Sequence, residues 1–187
     1  MKNILIIGGA RSGKSHFAQE LALKLGKPVL FVATAAALDE EMQHRIEEHQ
    51  RVRPATWGTL EVTINVGSQI SKKIGGAQMV IVDCITLLVN NIFSQYSDQT
   101  AEQISVSLIE ERVTNEISEL VECMNRVDAS FIIVTNEVGA GLVPANRVGR
   151  LYRDLLGKAN QMLAQHADEI YLLVAGLPIK IKPAKFG

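Results

Sequence analysis

This 187-residue sequence has few cysteines and almost no net charge. Its two cysteines, Cys84 and Cys123, form neither a disulfide framework nor a zinc-binding pattern, so we expect a reducing compartment, the cytoplasm. The 19 basic and 20 acidic side chains nearly cancel, which argues against a general nucleic-acid-binding or membrane-binding surface. Any site for an anion must therefore be local.

Long apolar runs are also missing. The longest, such as residues 170–175, have the length of a strand and fall far short of the roughly 20 residues that cross a membrane. The apolar stretch at residues 4–7 is likewise too short for a secretory signal. No repeat, low-complexity tract or linker interrupts the sequence, so we expect one domain over residues 1–187, with enough hydrophobic residues (47%) to build a core.

What the sequence does contain is an alternation of short apolar runs and longer amphipathic segments. The apolar runs predict strands at residues 3–7, 29–33, 59–64, 79–82, 131–135 and 169–174, with a short edge strand at 178–182. Helical spacing predicts helices at residues 14–25, 38–51, 100–125 and about 146–165. This alternation is typical of an α/β fold, a mainly parallel sheet with helices on both faces.

The first strand and the first helix flank a glycine-rich motif. Its residues are Gly8, Gly9, Ala10, Arg11, Ser12, Gly13, Lys14 and Ser15. This is the spacing of a Walker A motif, in which backbone N–H groups and a helix N-terminus bind phosphates. We expect Lys14 to reach the terminal phosphates and the Ser15 hydroxyl to ligate Mg²⁺, whereas Arg11 either adds charge to the loop or faces solvent. The motif predicts a P-loop NTPase-like three-layer fold and a nucleotide-binding protein.

Asp83 ends the apolar run at residues 79–82. A carboxylate at the end of such a strand is where a Walker B aspartate would bind magnesium, directly or through water. The alternative is an aspartate that caps the next helix, since aspartate is a favoured cap. Both roles are compatible.

Two of the four histidines, His44 and His49, fall in the predicted helix at residues 38–51. Helical spacing puts His49 on the apolar side of that helix, with Arg45 one turn before it. A neutral imidazole beside a guanidinium group can attack phosphorus, so an inward His49 is a candidate nucleophile. The helix pattern alone favours the alternative, a solvated face with i,i+4 ion pairs.

Further motifs follow the P-loop in a distinctive order. They are Ala33-Thr34, Asp39-Glu40-Glu41-Met42, Arg45-Ile46 with His49, Arg53-Pro54, Val82-Asp83-Cys84-Ile85-Thr86, Val134-Thr135-Asn136-Glu137-Val138-Gly139, Gly141-Leu142-Val143-Pro144, Asn146-Arg147, Tyr152-Arg153-Asp154 and Asn160-Gln161. With them the chain resembles, over almost its whole length, the bifunctional adenosylcobinamide kinase/adenosylcobinamide-phosphate guanylyltransferase family of cobalamin biosynthesis.

The resemblance implies a two-step enzyme. ATP or GTP would phosphorylate the aminopropanol hydroxyl of adenosylcobinamide, and GTP would then donate GMP to that phosphate through a guanylylated histidine. It implies Lys14 and His49 as catalytic residues, with His44 as the competing nucleophile. The residues that it places near the guanine nucleotide, besides the P-loop, are Thr34, Ala35, Ala36, Gln50, Arg51, Val52, Arg53, Glu61 and Asp83.

Three further expectations follow, and the first two carry an alternative. Glu61 would accept hydrogen bonds from the guanine edge, or else it is an ordinary solvent-exposed strand glutamate. Residues 135–137 lie where open α/β sheets bind ligands, and Gly139 and Gly141 would let the following loop move over the corrinoid, unless side-chain caps fix it. The resemblance also implies a homo-oligomer, a trimer.

One P-loop would have to serve two phosphorus transfers. Kinase chemistry needs the acceptor hydroxyl in line with the γ-phosphoryl group, whereas guanylylation needs His49 in line with the α-phosphorus. We therefore expect the helix that carries His49 to move, or the nucleotide to bind differently in the second step. The competing functions are a P-loop small-molecule kinase of another pathway and a non-enzymatic nucleotide-dependent switch.

Overall fold

Strands and helices alternate along the part of the chain that the structure describes, residues 1–36, 53–96 and 105–181 of a computed structural model. The strands are β1 (Asn3–Gly8), β2 (Val29–Ala33), β3 (Gly58–Glu61), β4 (Met79–Asp83), β5 (Ser130–Asn136), β6 (Glu169–Val174) and β7 (Leu177–Ile181). The helices of these ranges are α1 (Lys14–Leu25), α2 (Val66–Lys73), α3 (Ile85–Ser94), α4 (Val106–Arg126) and α5 (Arg147–Gln165). None of them is long and apolar enough to cross a membrane.

The strands form one sheet of seven in the order β3-β2-β4-β5-β1-β6-β7. Neighbours are parallel, except that β7 runs antiparallel to β6. Strand β5 therefore lies between β1 and β4, with Gly8 opposite Asn136 and Asp83 opposite Val134. Parallel strands end at one edge of the sheet, and that edge is where open α/β sheets bind ligands.

Both faces of the sheet are covered. Leu5 packs into the apolar cluster beneath α2, α3, α4 and α5, whereas its neighbours Ile4 and Ile6 pack into the cluster beneath α1. Burial on both faces explains why the central strands are continuous apolar runs rather than alternating ones. The three-layer α/β architecture expected from the sequence is confirmed.

Most predicted elements are confirmed to within one residue at each end. Helix α1 ends at Gly26, which takes the left-handed conformation (φ 61°) and donates its N–H to Ala22 and Leu23 carbonyls. Helix α5 begins where Asn146 accepts the Gly149 N–H at 2.6 Å. The predicted edge strand is β7, one residue earlier than expected.

Two of the element boundaries predicted from the sequence were wrong. Strand β3 ends at Glu61 rather than at residue 64, because after the bond from Val62 N–H to the Ala33 carbonyl the chain leaves the sheet toward α2. Helix α4 begins at Val106, because Ser105 is extended and accepts the Leu108 N–H as the N-cap, so the predicted helix does not run unbroken from residue 100; residues 100–104 themselves lie outside the described ranges. The predicted helix at residues 38–51 lies outside the described residues.

Two helices were not predicted from the sequence. Helix α2 has eight residues and no side-chain cap of its own; instead Glu116, on α4, accepts the N–H groups of Asn65 and Val66 at 2.9 and 2.8 Å. Helix α3 is apolar on nearly all sides because it is buried, with Leu88 among its fully covered side chains, so it lacks the amphipathic period that reveals a surface helix. Both helices depend on tertiary contacts.

Candidate active site

The glycine-rich motif forms a tight loop between β1 and α1, which we call the cradle (residues 8–15). A Cβ on Gly8 would lie 2.5 Å from the Leu173 carbonyl oxygen, and Gly13 has a positive φ of 92°, so these two glycines are required by space and by backbone conformation. Arg11 also has a positive φ (54°), and its side chain is exposed, as one of its two alternatives expected. The loop ends at the N-terminus of α1, whose first N–H groups are available to an anion.

Two side chains of the cradle are buried polar groups. Lys14 is 7% exposed and donates from Nζ to the Gly9 carbonyl at 2.6 Å. Burial lowers the pKa of the Lys14 ammonium group, and the nearby Cys84 and Asp83 oppose that shift. The Ser12 hydroxyl is buried and has no hydrogen-bond partner within the described part of the chain. A phosphate oxygen in the cradle is a partner that both groups can take.

Asp83 stands at the end of β4, within electrostatic reach of both Lys14 and Arg53. The peptide bond that joins it to Cys84 is cis. Cys84 rather than Asp83 is the N-cap residue of α3, and it makes no side-chain cap, so Asp83 does not occupy the N-cap position itself. Burial, helped by the Asp83 carboxylate, raises the pKa of the Cys84 thiol to about 12, which leaves it protonated and a poor nucleophile.

The residues present fit a magnesium ion. Asp83 offers a carboxylate and Ser15 a half-buried hydroxyl, which are the hard oxygen ligands that Mg²⁺ prefers. Within the described ranges no group of three or more His, Cys, Asp or Glu side chains could form a metal cage. A site of one carboxylate and one hydroxyl is what Mg²⁺ uses when phosphates and waters complete its shell.

Arg53, in the segment before β3, contacts β2 and β3 and lies within electrostatic reach of Asp83 at the end of β4. Its guanidinium carbon lies 3.7 Å from the centre of the Phe31 ring, and Nη1 donates to the Thr59 hydroxyl at 3.0 Å. Burial lowers the pKa of the Arg53 guanidinium, while the carboxylates of Asp83 and Glu61 oppose that shift. Its Nε is buried and makes no hydrogen bond within the described residues.

Thr34 ties the end of β2 to the end of β4. Its hydroxyl donates to the Cys84 carbonyl at 2.7 Å and accepts the Cys84 N–H at 2.8 Å. Asn91, on α3, adds a bond from Nδ2 to the Thr34 carbonyl at 2.8 Å. Because the Thr34 side chain is fully buried, its visible role is to position this edge of the sheet. We call Thr34, Arg53, Glu61 and Asp83 the strand-end cluster.

A cleft of about 490 Å³ opens beside this cluster. Ala35 and Glu61, both predicted to lie near guanine, are on its walls, and Ala36 is half-buried at the end of the same segment. The volume falls within the roughly 300–1,000 Å³ of small-molecule clefts. Glu61 is exposed. Its carboxylate is therefore accessible to a guanine edge, and it also fits an ordinary solvent-exposed strand glutamate.

Besides the motif residues at 39–42, 45 and 46, five candidate site residues lie outside the described ranges. They are His44, His49, Gln50, Arg51 and Val52. The assignment of His49 or His44 as the nucleophile therefore remains a prediction, as do the nucleotide contacts of the other three.

The end of β5 is held by a polar network whose anchors were not assigned a role from the sequence. The Thr135 hydroxyl donates to Asn160 Oδ1 at 2.7 Å, and Asn160 Nδ2 donates to the Asn136 carbonyl at 3.0 Å. The Asn136 N–H donates to the Thr86 hydroxyl at 2.8 Å. The sequence signals for these anchors are the motifs that contain Thr86 and Asn160 and the place of Asn160, a polar residue, on the otherwise apolar face of α5.

Side-chain caps hold the loop after β5 as well. Glu137 Oε1 accepts the Gly139 N–H at 2.5 Å, and Arg150 Nη1 donates to the carbonyls of Pro144 and Ala145 at 3.0 and 2.6 Å. Leu142, between these caps, is 95% exposed. The capped-loop alternative is thus present in the structure, and movement of the loop stays a prediction.

Comparison with known proteins finds one family over nearly the whole chain. Residues 4–181 match a family model described as cobinamide kinase/cobinamide phosphate guanyltransferase. The chain is 40% identical over 180 residues to the bifunctional adenosylcobalamin biosynthesis protein CobU of Salmonella typhimurium and 39% identical to that of Escherichia coli, covering 96% of this chain and 99% of each relative. It is 36% identical over 178 residues to CobP, of the same description, from Pseudomonas aeruginosa, covering 95% and 96%.

A solved structure supports the fold alone. The RadB recombinase covers 91% of this chain and 73% of its own, with a TM-score of 0.50 and 17% sequence identity. At that identity the likeness concerns the strand and helix arrangement, not the chemistry.

Proposed function

Because the chain belongs to the cobinamide kinase/cobinamide phosphate guanyltransferase family, an enzyme family of cobalamin biosynthesis, we propose that both of its reactions use the one cradle. In the first, ATP or GTP phosphorylates the aminopropanol hydroxyl of adenosylcobinamide. In the second, GTP gives GMP to the new phosphate and forms adenosylcobinamide-GDP. The observation that carries the proposal is the convergence of Lys14 and Arg53 on Asp83 at the edge where the parallel strands end.

In the kinase step the cradle holds the triphosphate. The N-terminus of α1, the Lys14 ammonium group and the orphan Ser12 hydroxyl bind its oxygens. Mg²⁺, held by Ser15 and Asp83, would neutralise charge on the β- and γ-phosphates when bound. Lys14 stabilises charge that develops as the bond to the γ-phosphorus breaks.

In the second step His49 is the nucleophile that we propose. Its imidazole nitrogen forms a bond to the α-phosphorus of GTP while the bond to pyrophosphate breaks. A phosphate oxygen of adenosylcobinamide phosphate then bonds to the same phosphorus, and the histidine leaves. Glu61 accepts hydrogen bonds from the guanine edge in the adjoining cleft, and Arg53 stabilises charge on the transferring group.

The corrinoid is a large ligand, and an apolar contact near the cradle would help to hold its macrocycle. We propose that Leu142 and Val143, 95% and 65% exposed on the loop after β5, supply it. This contact would serve both steps, because both substrates carry the same ring. Replacing Leu142 by serine should raise KM for the corrinoid in both reactions without raising KM for GTP.

We also propose a cytoplasmic homo-oligomer, a trimer. Its support in this chain is the edge strand β7, which exposes Leu177 (70%) and Ile179 (53%) next to an unpaired strand edge. Light scattering on the purified protein gives the number of subunits, and a monomer at micromolar concentration would contradict the proposal.

Labelling with α-³²P GTP tests the two-step proposal directly. The protein should form a covalent GMP adduct that is labile in acid and stable in alkali, as a phosphorus–nitrogen bond is. His49→Ala should abolish the adduct and spare phosphorylation of cobinamide, whereas the matched variant His44→Ala should keep both. An adduct that survives in His49→Ala but not in His44→Ala would move the nucleophile to His44.

A further inference from the structure

Glu137 occupies the central position of the active-site edge. It directly follows β5, the strand inserted between β1, which leads into the cradle, and β4, which ends at Asp83. Its N–H donates to the carbonyl of Gly8, the first cradle residue, at 3.1 Å. The backbone of Glu137 is therefore fixed to the cradle itself, on the side that faces the end of β4.

The position of Glu137 is fixed by more than this one bond. The residue before it, Asn136, is bonded through its N–H to Thr86 at the start of α3 and through its carbonyl to Asn160 on α5. Tyr152, also on α5, donates to the Thr86 carbonyl at 3.0 Å and so braces the same corner. Reacting groups are effective only when supporting contacts hold them within a fraction of an ångström, and this corner is supported from three elements.

The carboxylate of Glu137 is available for chemistry. Its side chain is exposed at the edge of the sheet, and one oxygen is oriented by the Gly139 N–H at 2.5 Å. A Cβ at position 139 would lie 2.8 Å from that oxygen, so glycine at this position makes room for the carboxylate. The second oxygen is left to accept another proton or hydrogen bond.

From this geometry we propose that Glu137 is the general base of the kinase step, an inference that rests on the proposed function. The hydroxyl oxygen of the aminopropanol group forms a bond to the γ-phosphorus as the bond from that phosphorus to the β,γ-bridging oxygen breaks. The hydroxyl proton passes to the Glu137 carboxylate, and the nucleoside diphosphate leaves. Because the transition state is loose, a weak base such as a carboxylate suffices late in the transfer.

The second reaction does not need this base. Its acceptor is a phosphate oxygen that is already an anion, so no proton has to be removed when it attacks the guanylylated enzyme. Asp83 is a poorer candidate for the base, because it interacts electrostatically with both cations, Lys14 and Arg53, and offers the carboxylate that fits Mg²⁺. Loss of Glu137 should therefore separate the two activities.

Glu137→Gln tests the inference, because the amide keeps an oxygen for the Gly139 N–H but cannot take the proton. At saturating substrates, its single-turnover rate of cobinamide phosphorylation should fall at least about 100-fold, the usual lower size of a general-base effect. Covalent GMP formation and GMP transfer to preformed cobinamide phosphate should stay within about threefold of wild type. Glu122→Gln, a change of an exposed glutamate on α4, is the matched control and should alter neither activity.

Two results would overturn the assignment. Phosphorylation by Glu137→Gln within about threefold of wild type would show that the carboxylate is not the base. An equal loss of both activities would mean that Glu137 positions the loop or the corrinoid instead. Failure of the proposed function looks different, since the wild-type protein itself would then not phosphorylate cobinamide, and both ideas would fall together.

Discussion

The cradle and the strand-end cluster lie at the same edge of the sheet, but they are built in different ways. The cradle is eight consecutive residues: Gly13 is required by its own backbone conformation, with a positive φ, although Gly8 is required by the close Leu173 carbonyl. The cluster takes Thr34, Glu61 and Asp83 from the ends of β2, β3 and β4, which are neighbours in the sheet, and adds Arg53 from the segment before β3. A local motif can thus be found from its spacing, whereas an assembled one becomes visible only when the sheet order is known.

Loss of the cradle's cation should have the largest effect. We expect Lys14→Ala to lower both activities by about 10³-fold or more, because in the proposed mechanism this ammonium group faces the transferring phosphates in both steps. Lys24→Ala, an exposed change in the last turn of the same helix, should leave both unchanged. Steady-state assays of each reaction measure this. A variant that keeps a tenth of either activity would break the idea that one cradle serves both.

Arg53→Lys should distinguish the role of the strand-end cluster from that of the cradle, because it should affect the two reactions to different extents. Lysine keeps the charge but loses the planar stack on Phe31 and the bond to Thr59, so it is not a conservative change here. We expect GMP transfer to fall about 10²-fold and phosphorylation with ATP less than tenfold. Thr59→Ala, which removes only the hydrogen bond, should have the smaller effect on GMP transfer. Equal losses in both reactions would make the cluster an extension of the cradle.

The same contrast explains how far the sequence could be interpreted. The P-loop, the α/β class and most strands and helices follow from spacing and hydrophobic period, and the structure confirms them. Helix α2 could not be predicted, because its cap comes from Glu116, fifty residues away in the sequence. Nor could the spacing show that Thr34 would be buried against Cys84, because that contact depends on β2 and β4 being neighbours.

Thr34→Val should lower the stability of the protein at the strand-end cluster. Valine has nearly the same shape but removes the group that pairs with both the N–H and the carbonyl of Cys84. We expect unfolding free energy to fall by about 1–3 kcal/mol, the cost of a buried unsatisfied polar group. Urea denaturation measures it, and Thr34→Ser, which keeps the hydroxyl, should lose less. If the valine and serine variants were equally stable, the two hydrogen bonds between the Thr34 hydroxyl and Cys84 would not stabilise this edge of the sheet.

Replacing Glu116, the residue that caps α2, should have the smallest effect. We expect it to change only how the free energy of unfolding depends on pH. Burial raises the pKa of the Glu116 carboxyl above its ordinary 4.5, although the N–H groups of Val66 and Asn65 oppose the shift. The folded protein then binds this proton more readily than the unfolded chain. That contribution is complete below the ordinary pKa and is lost as pH rises through the raised value.

Wild type should therefore lose stability relative to Glu116→Gln as pH rises through that window, while the activities at neutral pH stay similar. Urea midpoints of the two proteins across a pH series give the difference, and Glu122→Gln, an exposed change on the same helix, should show none. A slope of the opposite sign would mean that the two N–H bonds outweigh burial, so that the cap, like the cradle, favours a negative charge at a helix N-terminus.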